Sequence, residues 1–305
     1  MLVAPAVALL AWSGQTLRDL PWRRTRDPWA ILVSETMLQQ TQVARVVGPF
    51  AVFLTRWPDP EALAGARVGD VIDAWQGLGY NRRAVRLHAC ARAIVVDHGG
   101  QVPGDLQTLL GLPGVGAYTA RAVLSFAFDQ PVGVLDTNAA RVLARAFAGR
   151  RLSPGQAQRL ADASVPRGKA WVWNSAMLDL GATVCIARRP ACDRCPLAGP
   201  GGCRWHRAGR PSPDPALRSA GVSGAQSRFA GSDRQGRGRL VAALVNGPVG
   251  PEELAAAAGW PDDPARAVRV AATLVGDGLA SDGDHGVLHL AGRGPMNREL
   301  PLEVV

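Results

Sequence analysis

The chain has 305 residues, 47% of them hydrophobic and 19% charged, a composition that supplies a buried core and excludes disorder of the whole chain. The length predicts two domains or three small ones. The formal net charge is +9, and Lys169 is the single lysine, so the chain has only one side-chain amine that could take part in chemistry.

The positive charge is concentrated in one segment of the chain. Residues 141–240 carry 18 basic and five acidic side chains, whereas residues 241–305 carry four basic and nine acidic ones. The first segment is therefore a candidate surface for binding a polyanion, and the acidic C-terminal segment is not.

The chain begins with an apolar stretch, residues 2–12, which lacks a basic flank and is too short to span a bilayer. We expect this stretch to pack on the domain that contains the cysteines. We also expect a soluble, cytoplasmic protein with no membrane partner.

Helices are predicted almost throughout residues 1–208, because no run of residues alternates with period two for long enough to build a sheet. Asp27 caps the start of one helix, and Pro28 suits its first position. Further helices are predicted over residues 81–97, 105–110, 117–128, 138–148 and 169–180. The predicted fold class is all-α.

The C-terminal third begins with residues 209–236, whose Gly, Ser, Pro and Arg content predicts a linker. Three short helices are then predicted over residues 238–245, 251–259 and 264–276, with a hairpin that ends in residues 287–290. This order of elements is typical of a small winged-helix-like module, residues 237–305.

A glycine-rich turn lies between two predicted helices and contains Gly114, Val115 and Gly116. Glycines let the backbone approach a phosphate closely, and the following helix offers unpaired N–H groups. An ordinary turn between helices explains the same residues equally well.

Two carboxylates lie in contrasting surroundings. Glu35 lies inside an apolar stretch, residues 31–38, where burial would raise its pKa and let it donate a proton. Asp136 precedes a predicted helix, whose N–H groups favour the charged carboxylate. Taken singly, each is better explained as a solvated helix face or a helix cap. Taken together, they form an acid/base pair with separated pKa values.

Four of the five cysteines lie close together: Cys185, Cys192, Cys195 and Cys203. In a reducing compartment such a group indicates a metal centre rather than disulfides. Four thiolates bind either zinc or an iron–sulfur cluster, and the spacing alone does not choose between them.

The order of the glycine-rich turn, Leu135–Asn138 and the four cysteines resembles the helix-hairpin-helix DNA glycosylases of the endonuclease III superfamily. Within it, residues 20–23 (LPWR) and 34–43 (SETMLQQTQV) resemble the MutY-type adenine glycosylases. The resemblance covers residues 5–208. It implies a helix-hairpin-helix fold with a cluster-containing domain (residues 1–20 and 132–208) and a central helical domain (residues 21–131).

The resemblance implies removal of adenine mispaired with 8-oxoguanine or guanine in double-stranded DNA, by a monomer that associates with the nucleoid and carries a structural [4Fe–4S] cluster. Glu35 would protonate the flipped-out adenine, and Asp136 would stabilise the oxocarbenium-like sugar.

Further site residues follow from the same resemblance. The adenine pocket would be lined by Arg18, Trp22 and Arg23. Gln40, Thr41 and Leu78 would contact 8-oxoguanine in the opposite strand, and Tyr80 would be wedged into the base stack there. Apart from the resemblance, the glycine-rich turn (Gly114, Val115, Gly116) and the loop that contains Arg188 and Arg189 are candidate contacts with DNA phosphates. A solvated basic loop is the alternative explanation for Arg188 and Arg189. The cluster would be ligated by Cys185, Cys192, Cys195 and Cys203.

The resemblance also implies that Tyr118 belongs to the catalytic group, because it stands where bifunctional relatives carry the lysine that attacks the sugar. A phenol forms no Schiff base, so we expect base removal without efficient strand cleavage. The alternatives are a related glycosylase acting on T:G mispairs or oxidised pyrimidines, and a non-enzymatic iron–sulfur regulator that binds DNA.

The chain departs from the family pattern at three places. The last two cysteines are separated by seven residues where five are usual, Asn81 replaces a common aromatic residue, and Ser175 replaces a residue that often contacts adenine. The C-terminal segment also differs from the β-rich module of many relatives. Both a protein-contact or structural role and a role in reading DNA stay open for it.

Overall fold

The computed structural model describes residues 3–219 and 228–293, which are helical apart from one small hairpin. The α-helices, in chain order α1 to α15, are Val3–Thr16, Pro28–Leu38, Val43–Arg56, Pro60–Ala64, Val68–Ala74, Arg82–His98, Leu106–Gly111, Ala117–Phe126, Thr137–Val142, Pro154–Ser164, Ala170–Thr183, Arg204–Arg207, Asp233–Asn246, Leu254–Ala258 and Pro264–Gly276. The strands β1 (Ala280–Asp282) and β2 (Leu288–Leu290) pair antiparallel. The predicted fold class is confirmed.

Local sequence signals set several helix ends. The Asp27 carboxylate accepts hydrogen bonds from the backbone N–H groups of Trp29 and Ala30, so α2 begins as predicted. The predicted helix over residues 81–97 is α6, which ends at Gly99 in the left-handed conformation. The predicted helix over residues 138–148 starts one residue earlier, and after Val142 it continues as a π-helical turn, Leu143–Ala148.

The chain divides into two compact units. The first unit comprises Met1–Glu35, Val102–Gly111 and Val115–Ala225. Its core contains Leu9 of α1 together with side chains of the π-helical turn and α11, among them Phe147 and Trp173, whose ring centroids lie 6.0 Å apart. The apolar N-terminal stretch therefore packs on the unit that contains the cysteines, as predicted.

The second unit comprises Thr36–Gln101, Leu112–Gly114 and Gln226–Val305. In it α6 packs against α4 and α5, and α13, α14 and α15 pack on one another and on the hairpin. The three helices and the hairpin follow the predicted order in the C-terminal segment, and the winged-helix assignment stays a prediction. The two units divide the chain differently from the four segments predicted above, so those domain boundaries also stay a prediction.

Part of the segment predicted as a linker is packed. Asp214 forms an ion pair with the buried Arg145, and the Ser219 hydroxyl accepts a hydrogen bond from the backbone N–H of Leu152 at 3.1 Å. Residues 220–227 of this segment lie outside the described residues, and α13 begins at Asp233 within it. No helix in the described part of the chain is long and apolar enough to cross a membrane.

Candidate active site

Glu35 lies in the last turn of α2, a helix that is apolar on most faces and therefore buried in the first unit. The residue is only 4% exposed, and its Oε2 atom has no hydrogen-bond partner among the described residues. Burial raises the pKa of Glu35 to about 7, as the apolar stretch predicted. A carboxyl group with this pKa is partly protonated at neutral pH.

Tyr118 and Asp136 lie next to Glu35. The Tyr118 hydroxyl, on the first turn of α8, hydrogen-bonds the Glu35 carboxyl group and opposes the rise of its pKa, while the charge of Asp136 adds to that rise. Burial and the two carboxylates raise the pKa of Tyr118 well above its usual value, so the phenol stays protonated and donates. The structure thus brings together the three residues predicted to be catalytic.

Asp136 is the N-cap residue of α9. Its Oδ1 accepts hydrogen bonds from the backbone N–H groups of Asn138 (2.8 Å) and Ala139 (2.7 Å). Its Oδ2 accepts a third, from the Asn138 side chain at 2.8 Å. The hydrogen bonds favour the charged form as predicted, but burial has the larger effect, so the pKa of Asp136 is raised rather than lowered.

A chain of hydrogen bonds connects Asp136 to the first cysteine. The Asn138 amide donates to Asp136, and its oxygen accepts from Nη2 of Arg141 at 2.8 Å. The Arg141 Nε atom donates to the backbone carbonyl of Cys185 at 2.6 Å. Gly181 lets α11 approach here, because a Cβ atom at Gly181 would lie 2.6 Å from the backbone oxygen of Asn138. Sequence reasoning missed Asn138 and Arg141 as parts of this site.

Arg18 and Arg23, predicted to line a base pocket, both bind the carboxylate of Asp179, a fully buried residue of α11. Nε of Arg18 donates to Oδ1 at 2.6 Å, and the Arg23 guanidinium donates to both oxygens, at 2.6 and 3.0 Å. The two guanidinium groups hold the pKa of Asp179 below its usual value. Trp22 lies between them in a 3₁₀ turn, 7% exposed.

Asp179 was missed by the sequence analysis. The pattern that identified Glu35, an acid inside an apolar helix, also applies to Asp179 and could have identified it. Ser175, one turn earlier on α11, is 1% exposed, and its hydroxyl has no hydrogen-bond partner among the described residues.

In the second unit, Gln40, Thr41, Leu78 and Tyr80 lie in two turns that a buried arginine holds together. Arg83, 7% exposed, donates to the Thr41 hydroxyl at 3.0 Å and to the backbone carbonyl of Gly79 at 2.7 Å. It also donates to the carbonyls of Thr36 and Met37, both at 2.8 Å. The Thr41 hydroxyl in turn donates to the Leu78 carbonyl at 3.1 Å. Arg83 is a further residue that sequence reasoning missed.

The candidate phosphate-binding residues are accessible, apart from Val115. Gly114 and Gly116 are exposed before α8, and Arg188 and Arg189 are exposed in the loop between Cys185 and Cys192. Gly114 has a φ of 78°, and a Cβ atom there would lie 2.8 Å from Cβ of Arg86, so this position requires glycine. Val115 itself is buried.

All four clustered cysteines line one cavity of the first unit. Four thiols around one cavity fit an iron–sulfur cluster, which is ligated by four cysteine thiolates. Burial raises the pKa of the Cys195 thiol to about 12, and four thiolates side by side need a cationic centre to balance them.

The two extra residues before the last cysteine are accommodated by a tight glycine turn. A Cβ atom at Gly202 would lie 2.2 Å from the backbone oxygen of Leu197, so only glycine fits there. The backbone N–H of Cys203 then donates to the same oxygen at 2.6 Å. Nη1 of Arg145 donates to the Cys185 sulfur at 3.5 Å, and such a contact stabilises a thiolate ligand.

Comparison with known families gives two matches. Residues 33–167 match the HhH-GPD superfamily base excision DNA repair protein, and residues 185–199 match the iron-sulfur binding domain of endonuclease III. The chain is 43% identical to the adenine DNA glycosylase of Mycolicibacterium smegmatis, over 98% of this chain and 99% of the relative. The chain belongs to the adenine DNA glycosylase family.

Other relatives share less of this chain. The human adenine DNA glycosylase is 43% identical over 62% of this chain and 37% of the relative. The thymine-DNA glycosylase of Aeropyrum pernix is 38% identical over 59% of this chain and 84% of the relative. Among solved structures, a thermostable thymine-DNA glycosylase gives a TM-score of 0.61 at 30% identity, over 67% of this chain and 95% of the other. An endonuclease III–DNA covalent intermediate shares the fold, with a TM-score of 0.58 at 22% identity.

Membership of the adenine DNA glycosylase family makes the chain a base excision repair enzyme, a hydrolase of N-glycosyl bonds with DNA as its substrate, and it carries a [4Fe–4S] cluster. The alternative of a non-enzymatic regulator is thereby excluded. The similarity to the mycobacterial glycosylase also spans nearly the whole chain and so includes most of the C-terminal segment.

Proposed function

We propose that this glycosylase removes adenine mispaired with 8-oxoguanine or guanine in duplex DNA and leaves the strand uncut, acting as a monomer on the nucleoid in the cytoplasm. The observation that carries the proposal is the grouping of the buried Glu35 with the half-buried Tyr118 and Asp136. It contains one carboxyl group with a pKa of about 7, a second carboxylate and a phenol, and it contains no amine.

Glu35 acts as the general acid. Adenine must leave the base stack before any side chain reaches it, and Oε2 of Glu35 has no partner within the described protein to compete with the base. Its proton goes to N7 of adenine, so the electron pair of the breaking C1′–N9 bond moves into a neutral leaving group.

Asp136 acts on the sugar from which the adenine departs. The sugar left behind is oxocarbenium-like, and a nearby carboxylate stabilises its positive charge. Water then adds to C1′ and gives its proton to a carboxylate. Tyr118 cannot form a Schiff base, and Lys169 is exposed at the start of α11, so hydrolysis without strand cleavage is the expected outcome.

The remaining assignments are part of the same proposal. Arg18, Trp22 and Arg23 shape the adenine pocket. The turns held by Arg83 present Gln40, Thr41, Leu78 and Tyr80 to the opposite strand. Gly114, Val115, Gly116, Arg188 and Arg189 bind phosphates. Cys185, Cys192, Cys195 and Cys203 ligate the cluster, which supplies structure to the loop that carries Arg188 and Arg189.

The substrate assignment is tested by single-turnover cleavage of duplexes that contain A:8-oxoguanine, A:G, T:G or thymine glycol. We expect base release from the two adenine mispairs, with strand breaks appearing only after alkali. Release from T:G or thymine glycol at a comparable rate, or strand breaks without alkali, would contradict the proposal.

The substitution Tyr118→Phe is expected to move the pH profile of adenine release. Glu35 must be protonated to act, so the wild-type rate falls as the pH rises through about 7. The Tyr118 hydrogen bond holds the pKa of Glu35 down, and its removal raises that pKa. The alkaline fall of single-turnover rate should therefore begin at a higher pH in the variant. If the rate of Tyr118→Phe falls over the same pH range as that of the wild type, in a variant with wild-type thermal stability, the role given to this hydrogen bond is contradicted.

A further inference from the structure

The C-terminal module, here residues 233–293, packs on α5 and α6, the helices on either side of the turn that carries Leu78 and Tyr80. On the α5 side, the Arg293 guanidinium donates to Asp70 and Asp73, both at 3.1 Å. The backbones also approach closely, because a Cβ atom at Gly69 would lie 2.7 Å from the carbonyl oxygen of Ala291.

On the α6 side, Asp277 binds two arginines at once. Its Oδ1 lies 3.1 Å from Nη1 of Arg82, the first residue of α6, and its Oδ2 accepts from Nη2 of Arg237 at 2.6 Å. Asp277 is one of the acids that make residues 241–305 net negative, and it is occupied by a contact within the second unit. Because the Asp277 carboxylate is paired within the protein, the acidic character of the module favours a structural role in the enzyme over binding of an external basic partner.

The module also contacts Tyr80 directly. Nη1 of Arg234 donates to the Tyr80 hydroxyl at 3.1 Å, and the Arg234 guanidinium carbon lies 5.3 Å from the ring centroid of Phe229. Tyr80 has a φ of 50°, a left-handed backbone that is costly for an aromatic residue and persists only when its surroundings hold it. Arg83 holds its carbonyl, by a bond of 3.3 Å, and Arg234 holds its hydroxyl.

We propose that Arg234 is a positioning residue through which the C-terminal module sets the orientation of Tyr80 for entry into the base stack opposite the target adenine. The inference rests on the proposed function, since it takes Tyr80 as a residue that enters DNA. The guanidinium acts on the phenol and not on the reacting sugar, so its effect lies in the step that distorts the duplex. Bond cleavage follows that step and depends on it.

Four variants test this contact: Arg234→Ala, Arg234→Lys, Tyr80→Phe and the double variant Arg234→Ala/Tyr80→Phe. The readouts are the single-turnover rate on A:8-oxoguanine duplexes and the stopped-flow fluorescence of 2-aminopurine placed beside the mispair, which reports unstacking. Arg234→Ala should slow both by about tenfold, the loss typical of one charge-assisted hydrogen bond, and Arg234→Lys should restore part of the loss. The double variant should be no slower than the slower single variant, because both single changes remove the same bond.

The matched control is Arg239→Ala, which removes an exposed arginine from the same helix, α13, and should leave both rates unchanged. A merely structural role would lower the thermal stability of Arg234→Ala without slowing unstacking. That result, or multiplication of the two single effects in the double variant, would overturn the inference. If Arg234→Ala does not fold, Tyr80→Phe and Arg234→Lys decide the question alone. A wild-type protein inactive on A:8-oxoguanine would instead overturn the proposed function.

Discussion

Glu35→Gln should lower the single-turnover rate of adenine release by about 10²–10⁴-fold, the usual contribution of a general acid. Glutamine keeps the size and the hydrogen bond with Tyr118 but has no proton of suitable acidity to give. Binding to A:8-oxoguanine duplexes, measured by gel shift or fluorescence anisotropy, should stay within a few-fold of wild type, since Glu35 is only 4% exposed and the change leaves the basic surface intact.

Glu252→Gln provides the matched control, because Glu252 is exposed on the C-terminal segment and should tolerate the change without loss of rate. The assignment of Glu35 as the acid fails if Glu35→Gln retains turnover. It also fails if the rate is lost together with the fold, as judged by cluster absorbance and thermal unfolding, because the loss would then report stability.

Asp136→Asn should cost about 10²–10³-fold in the same assay, the range expected when one electrostatic contact to the transition state is removed. Stability should fall only slightly, because asparagine caps a helix about as well as aspartate and its oxygen can accept from the backbone N–H groups of Asn138 and Ala139, so that only the bond from the Asn138 side chain is lost. Thermal unfolding measured beside the single-turnover rate separates the two effects.

The control for this change is Asp59→Asn. Asp59 caps α4 by accepting from the backbone N–H of Ala62 at 2.8 Å, so it makes the same type of cap outside the site. Both variants should unfold near the wild-type temperature, and only Asp136→Asn should lose rate. Equal rates for the two variants would remove Asp136 from the mechanism.

The sequence predicted those features of the site that depend on local context. An acid inside an apolar stretch is buried wherever that helix packs, so the raised pKa of Glu35 could be expected before any fold was known. An aspartate before a helix start caps it, and Asp136 does. Four cysteines within nineteen residues are close in sequence and are therefore expected to lie close in space, and they line one cavity.

The features that escaped prediction depend on pairings across the chain. Arg83 reads as an ordinary basic residue on a helix, and only the fold shows that it binds the carbonyls of two separate turns. The direction of the pKa shift of Asp136 depends on how deeply α9 is buried, which the capping pattern does not report. The attachment of the C-terminal module to α5 likewise joins residues more than 200 positions apart.

The ion pairs of Asp179 have a consequence for how the enzyme is made. Arg18 and Asp179 are 161 positions apart, so their ion pair cannot form on a ribosome until nearly three fifths of the protein has been synthesised. Contacts of such long sequence separation form slowly, because the intervening chain must lose its freedom first. Until then the N-terminal segment carries two arginines without their carboxylate. Nascent chains of this enzyme therefore form the ion pairs of Asp179 late, long after the segment that bears Glu35 has been synthesised.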